Sequence, residues 1–242
     1  MLQVRSGPRH FFRLTLIKFI LKDTLKKGDI LDAGAGDGSL SIQLARAGFN
    51  VTALEPDEKW CAVLRGRLVD PDLKERIKVH CSSLENTVFK QGSFDAIICG
   101  EVLEHVTNDL EAIENLYALL KKNGSLILTV PLAGKGWDDW DALCGHLKLY
   151  DFKHLKAMLV SAGFSIDHAL SWGYPFTKFY HRFIFLRWAR QVKSEDEILQ
   201  TRHWLTRLGK SFLVSVMGWL FFIDLFFTPT EKGIGVIVRA RK

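Results

Sequence analysis

Ile30-Leu-Asp-Ala-Gly-Ala-Gly-Asp-Gly-Ser39 is the stretch on which the rest of the chain depends. Ile30 and Leu31 read as the end of a buried strand and Asp32 as its tip. Glycines follow at 34, 36 and 38, and a helix is expected from about Ser39. Glycine takes positive φ without steric penalty and lets a ligand approach the backbone. A helix start adds unpaired N–H groups and the positive end of a dipole. A pyrophosphate wants those N–H groups but not a carboxylate beside them. The spacing also departs from G-x-G-x-x-G, because Ser39 and Leu40 follow Gly38. A ligand with an ammonium group and a neutral nucleoside end suits Asp32 better.

Working outward, a second apolar run, Val51-Thr-Ala-Leu54, ends in Glu55. A Rossmann-type fold places an acid there to accept hydrogen bonds from ribose hydroxyls. Pro56 suits the first turn of a helix. Strand-like runs at 29–32, 51–54, 77–80, 94–99, 124–130, 164–170 and 233–241 alternate with helical ones at 39–47, 57–68, 109–120 and 151–162. Such alternation argues for a parallel sheet with helices on both faces. Residues 9–25 read as an amphipathic helix rather than a cleaved leader, because Lys18 interrupts the apolar run.

A chain of 242 residues holds one α/β domain with a full core. We read 1–242 as a single domain with an inserted segment at 172–230. Cys61, Cys81, Cys99 and Cys144 have no C-x-x-C spacing, so buried thiols in a reducing cytoplasm are expected rather than disulfides or zinc. Charge is unevenly placed: residues 171–242 carry twelve Lys/Arg against five Asp/Glu, while the rest of the chain is near neutral. The same third holds Trp172, Trp188, Trp204 and Trp219. Basic groups interleaved with aromatics suit an anionic surface, lipid or nucleic acid.

Within the insert, Phe176, Phe179, Tyr180, Phe183 and Ile184 fall at helical spacing, and residues 212–227 are almost wholly apolar. A bilayer span needs about 20 apolar residues, and this run is shorter and carries Asp224. The readings are a helix over a greasy substrate pocket, a homodimer element, or a peripheral membrane contact through 176–227. So apolar a run argues against a phosphate groove, and hence against nucleic acid as partner.

Three further strings complete the pattern: Asp32 to Gly38, His80-Cys-Ser-Ser-Leu-Glu85, and Ser93-Phe-Asp-Ala-Ile-Ile-Cys-Gly-Glu-Val-Leu-Glu-His-Val106. Together they resemble the class I S-adenosylmethionine-dependent methyltransferases over most of residues 28–171. The resemblance implies a Rossmann-like α/β sheet of seven strands, mostly parallel, in the order 3-2-1-4-5-7-6 with the last strand antiparallel. It implies S-adenosylmethionine as cofactor, held by Asp32, Gly34, Ala35, Gly36, Glu55, Pro56, Ser83, Leu84, Cys99 and Gly100. Ser82 or Ser83 stands where the family often has an Asp.

Methyl transfer to an alcohol or phenol needs a base beside an in-line nucleophile. His105 and His146 are the candidates, since a neutral imidazole takes a proton near neutral pH. Glu101, Glu104 and His105 are spaced to share one face of a helical turn. The string resembles two metal-using branches, the ubiquinone-pathway O-methyltransferases and the small-RNA 2′-O-methyltransferases. That resemblance implies a divalent cation such as Mg at Glu101, Glu104, His105 and His146. Related enzymes carry the same string without a metal. Asp138, Asp139 and Asp141 read as a solvated loop, and Tyr150 as packing near His146. The function expected is methylation, at oxygen, of a small or lipid-like quinone or phenol acceptor, by a cytoplasmic enzyme that contacts membranes peripherally. The alternatives are an RNA 2′-O-methyltransferase and a non-catalytic scaffold that binds the cofactor.

Overall fold

The computed structural model describes residues 8–86, 89–189, 211–229 and 232–242. Seven strands form one sheet: β1 (Asp29–Ala33), β2 (Asn50–Glu55), β3 (Ile77–Cys81), β4 (Phe94–Gly100), β5 (Leu120–Pro131), β6 (Ser165–Trp172) and β7 (Gly235–Arg241). Their order is β3-β2-β1-β4-β5-β7-β6, as the resemblance implied. The pairs from β3 to β5 are parallel, and β7 runs antiparallel between β5 and β6. The chain leaves β1 for β2 on one side and returns to β4 on the other, so the tips of β1 and β4 form the switch point where open α/β sheets bind ligands.

Successive strand residues point to opposite faces, and the core follows that rule. Ile30 and Ile98 join Phe12, Ile17, Leu44 and Leu64 on one face. Leu31 and Ile97 join Ile113, Leu116, Leu155 and Leu159 on the other. The first face is covered by α1 (Pro8–Lys22), α2 (Ser39–Arg46), α3 (Glu58–Arg67) and α4 (Pro71–Arg76); the second by α5 (Asp109–Leu119) and α7 (Phe152–Ser161). Between β5 and α7 lies α6 (Asp139–Leu143). Carboxylates cap the helices as local chemistry demands: Asp57 accepts from Lys59 N, and Asp151 from Lys153 N and His154 N.

Two expectations change here. The first helix is not a one-sided amphipath: Phe12, Leu14, Leu16, Ile17, Ile20 and Leu21 are all buried and Phe19 alone of its large apolar residues is exposed, because sheet and insert close on it from two sides. Cys61 and Cys81 are paired as a disulfide instead of lying as separate thiols. The α3 crossover sets the two Cα atoms 6.2 Å apart, a proximity that a separation of 20 residues does not reveal. Cys99 is a buried thiol outside any disulfide, as expected, and Cys144 is half-buried. Asn123, at φ 64°, and Gly124 bulge from the start of β5, where pairing with β4 passes from Phe94–Leu120 to Ala96–Ser125.

The insert begins with α8 (Phe176–Tyr180), which runs through a π-helical turn (His181–Phe185) into α9 (Leu186–Ala189). Residues 190–210, with Trp204 among them, lie outside the described residues. The apolar run then forms α10 (Ser211–Leu220) and a 3-10 turn (Phe221–Phe226). Among the described residues no helix is long and apolar enough to cross a membrane.

Candidate functional site

The glycine turn divides into two kinds of position. A Cβ at Gly34 would fall 2.3 Å from Val102 Cγ2, and one at Gly38 2.0 Å from Leu64 Cδ1, so these two glycines serve the fold. A Cβ at Gly36 would meet nothing within 4 Å, although its φ is 54°. The turn is therefore open at Gly36.

Asp32, Gly34, Ala35 and Gly100 line the cleft above this turn, with Asp37, Ser39 and Leu40. Its outer wall comes from α1: His10, Arg13, Leu14 and Ile17. The space left is about 40 Å³, roughly what one or two water molecules occupy. The α1 side chains thus narrow the cleft on the side of Asp32 and Gly34. Asp32 is buried and accepts a hydrogen bond from Ser41 Oγ at 2.6 Å. Burial pushes its carboxyl up to about 6, so it is ionised at neutral pH at a cost that a ligand's ammonium would relieve. Glu55 turns into the glycine loop, accepting from Gly36 N at 2.7 Å and Asp57 N at 3.1 Å. Burial raises its carboxyl too. Ser82 N donates to the Glu55 carbonyl, which puts Ser83 and buried Leu84 just past β3, while Pro56 is exposed at the β2 tip. The Cys99 side chain packs into the core away from the cleft, its thiol raised strongly by burial. A buried carboxylate, an open glycine and a second acid at the next strand tip fit a cationic nucleoside.

Beyond Gly100 the chain turns sharply. Glu101 has φ 59°, and a single 3-10 turn covers Leu103–His105. Glu101, Glu104 and His105 therefore do not share a helical face. Glu101 turns back to Arg13 Nη1 at 3.2 Å and accepts from Thr129 Oγ1 at 3.1 Å. The expected four-residue metal set is reduced to three, Glu104, His105 and His146, whose potential ligand atoms lie within 4.8 Å of one another. Glu104 is fully buried and neither carboxylate oxygen has a hydrogen-bond partner. Burial, and then the charge of Glu101, raises its carboxyl well above the usual range.

His146 lies beside the same group. Its Nδ1 is 2.8 Å from Asp141 Oδ1 and its Nε2 is 3.9 Å from Glu104 Oε1. An ionised carboxylate only accepts, so Nδ1 carries a proton, and in the neutral imidazole Nε2 presents its lone pair. The His105 ring meets the His146 ring edge-on, with centroids 4.9 Å apart, and His105 itself is exposed. Tyr150 packs below, its hydroxyl 2.9 Å from Asp109 Oδ2.

Asp138 and Asp141 do not lie in a solvated loop, although Asp139 between them is exposed. Asp138 caps α6 in a capping box with Asp141, and Asp141 is fully buried. Lys135 bridges both, and His181 Nε2 stands 2.7 Å from Asp138 Oδ2. Burial works against both carboxylates. His181 and Lys135 nevertheless hold Asp138 well below its ordinary range, and His146 and Lys135 hold Asp141 there. Lys135, Arg13 and His181 carry no sequence motif. The capping spacing of Asp138 and Asp141 is the one signal that the sequence offered.

Residues 9–169 match the family described as "Methyltransferase domain". The mitochondrial ubiquinone biosynthesis O-methyltransferase of Rattus norvegicus is 30% identical over 213 residues, covering 74% of this chain and 60% of that protein. The ubiquinone biosynthesis O-methyltransferase of Coxiella burnetii (strain Dugway 5J108-111) is 33% identical over 126 residues, 52% of this chain and 53% of that one. The chain thus matches between half and three-fifths of the length of these curated relatives. An S-adenosylmethionine dependent methyltransferase from Mesorhizobium loti superposes with a TM-score of 0.64 at 16% identity, over 98% of this chain and 100% of that one, a likeness of fold. The family match runs from α1 into β6 and so spans every element that builds the cleft; the chain belongs to the methyltransferase domain family.

Proposed function

We propose that the chain transfers the methyl group of S-adenosylmethionine to an oxygen of a hydrophobic phenol or quinone-like acceptor. The observation that carries this reading is the Asp141–His146 pair, 2.8 Å apart, beside the tip of the strand that lines the cofactor cleft. Asp32 and the turn at Gly34, Ala35 and Gly36 would hold the amino-acid end of the cofactor. Glu55, with Pro56, Ser83 and Leu84, would hold its nucleoside, and backbone at Cys99 and Gly100 would meet the methionine end. The bound cofactor supplies an activated methyl group. His146 takes the acceptor's hydroxyl proton at Nε2, and Asp141 fixes the tautomer and orientation that leave this atom free. The similarity to ubiquinone O-methyltransferases supports a quinone-like acceptor. The test is incubation with deuteromethyl-labelled cofactor and a catechol bearing an alkyl tail. Labelled aryl ether should form, and His146→Gln should reduce it by about 10²–10⁴-fold. Labelled N- or C-methyl products from a mixed extract, with none at oxygen, would overturn the reading.

A second reading of the same residues is favoured by Glu104, whose buried carboxylate has no hydrogen-bond partner. Two imidazoles and a carboxylate suit a divalent cation, and Glu104, His105 and His146 would hold it. Such an ion polarises an acceptor oxygen and lowers the pKa of its hydroxyl.

The exposed aromatics of the insert support contact with an anionic bilayer. Phe176, Phe179, Phe183, Trp219, Phe226 and Phe227 are exposed, and the C-terminal third is basic. A second copy would bring like charges together, whereas acidic lipid complements them.

A further inference from the structure

We propose that His181, on the insert, is a positioning residue for His146, acting through Asp138, Lys135 and Asp141. The proposal rests on the assignment of His146 as the base. It concerns residues that no motif of the cofactor site includes.

The link is continuous. Arg9 Nη1 of α1 is 2.6 Å from His181 Nδ1. A guanidinium only donates, so His181 Nδ1 accepts and its Nε2–H donates to Asp138 Oδ2 at 2.7 Å. Lys135 Nζ lies 3.1 Å from that same oxygen and bonds Asp141 Oδ2 on its other side. Asp138 N donates to Asp141 Oδ2 at 2.9 Å, and Asp141 Oδ1 takes the proton of His146 Nδ1 at 2.8 Å. Every side chain from His181 to His146 is close to buried: relative exposures are 6% for His181, 12% for Asp138, 4% for Lys135, 0% for Asp141 and 8% for His146.

Three properties make this more than a set of structural ion pairs. The partners come from four separate places in the chain: α1, the β5–α6 segment, the loop after α6, and the insert. Each acceptor oxygen has its donor fixed by chemistry, so the orientations are determined all along the line. And Asp141 divides its two oxygens between the network and the base, so any shift of Lys135 or Asp138 rotates the carboxylate that aims His146. The same α1 that supplies Arg9 walls the cofactor cleft with Arg13 and Ile17. The seating of α1 and of the insert is thereby read out as the alignment of one imidazole. Partners behind a functional histidine are typically worth about 10- to 100-fold in activity.

The experiment uses the full chain and two variants, His181→Phe and Lys135→Met. His181→Phe removes both hydrogen bonds and keeps a ring against Phe185, on which His181 stacks with centroids 5.4 Å apart. An imidazole N–H bonded to a buried carboxylate gives a far-downfield proton resonance, and His146→Gln identifies it by its loss. We expect that resonance to move or broaden beyond detection in both variants while affinity for S-adenosylmethionine stays within about twofold. Labelled-methyl transfer to the tailed catechol is expected to fall about tenfold through kcat rather than KM, and to fall no further when His181→Phe is added to His146→Gln. An unchanged resonance in whichever variants fold, or its absence from the parent protein, overturns the proposal. Full activity in His146→Gln, with the resonance still displaced by His181→Phe, overturns only the assignment of the base.

Discussion

Asp224 and Thr177, 47 residues apart in sequence, are joined by two hydrogen bonds: Asp224 Oδ2 accepts from Thr177 N at 2.7 Å and from Thr177 Oγ1 at 2.5 Å. Its other oxygen accepts from Phe176 N at 2.8 Å. The one acid in the apolar run is thus the cap of α8, where free backbone N–H groups need an acceptor. It is fully buried. Asp224→Leu would complete the apolar run in sequence, yet it leaves those donors unpaired. The expected result is a loss of about 1–3 kcal/mol, with faster hydrogen exchange at 176–180. Asp224→Asn keeps part of the acceptor set and should lose less.

Glycine variants should separate folding from binding. Gly34→Val and Gly38→Val collide with Val102 and Leu64, so both should fail to accumulate as folded protein. Gly36→Val has free space around it and costs about 1–2 kcal/mol for its positive φ. It should stay folded and lose cofactor binding by calorimetry. Undiminished affinity in folded Gly36→Val would remove the cleft from consideration.

Asp32 should affect stability and binding with opposite signs. Its carboxyl is raised to about 6 from an ordinary 3.8, so folding takes up a proton between those values and the ionised form at higher pH opposes folding. That penalty, about 3 kcal/mol, is present in full above pH 6 and fades as pH falls toward 4. Asp32→Asn should therefore raise the Tm of the ligand-free protein at pH 8 and not at pH 4. In the parent protein, affinity for the cofactor's ammonium should weaken as pH falls below about 6; in Asp32→Asn it should be low and flat.

A cation held by Glu104, His105 and His146 should raise the Tm as a bound ligand does, by about 2.7 kcal/mol of stability at a hundred times its Kd. Glu104→Gln and His105→Ala should abolish the shift. If Mg, Mn and Zn each leave the Tm of the parent protein unmoved, the cation reading fails.

Vesicles containing phosphatidylserine should sediment the protein, and neutral vesicles should not. Phe226→Ser with Phe227→Ser removes two aromatics exposed at 86% and 60% and should weaken that binding by more than tenfold. Raised salt should weaken it as well.

Much of this molecule could be read from the chain. Strand runs such as Ile97-Ile98 are apolar on both faces because a parallel sheet is covered on both, and Asp57 and Asp151 stand at the starts of the helical runs at 57–68 and 151–162. These are local rules, acting over one strand or one helical turn. They locate the glycine turn, Asp32 and Glu55 without reference to any distant residue.

Tertiary structure decided what local rules cannot reach. Glu101 and Glu104, three residues apart, point to different surroundings, Glu101 to Arg13 and Glu104 into the buried space beside His146, because backbone at the tip of β4 takes a left-handed turn. Cys61 meets Cys81 only through the α3 crossover, and His146, which meets Asp141 through the local turn that ends α6, comes beside Glu104 where Leu147 N donates to the Glu104 carbonyl at 2.7 Å. His181 reaches Asp138 across 43 residues. The strands and the cofactor turn follow from hydrophobic period and glycine geometry, whereas the order of the strands in the sheet was implied only by the family resemblance. Which imidazole is aimed, and by what, was set by packing, because a buried charge must find its partner wherever the fold brings one.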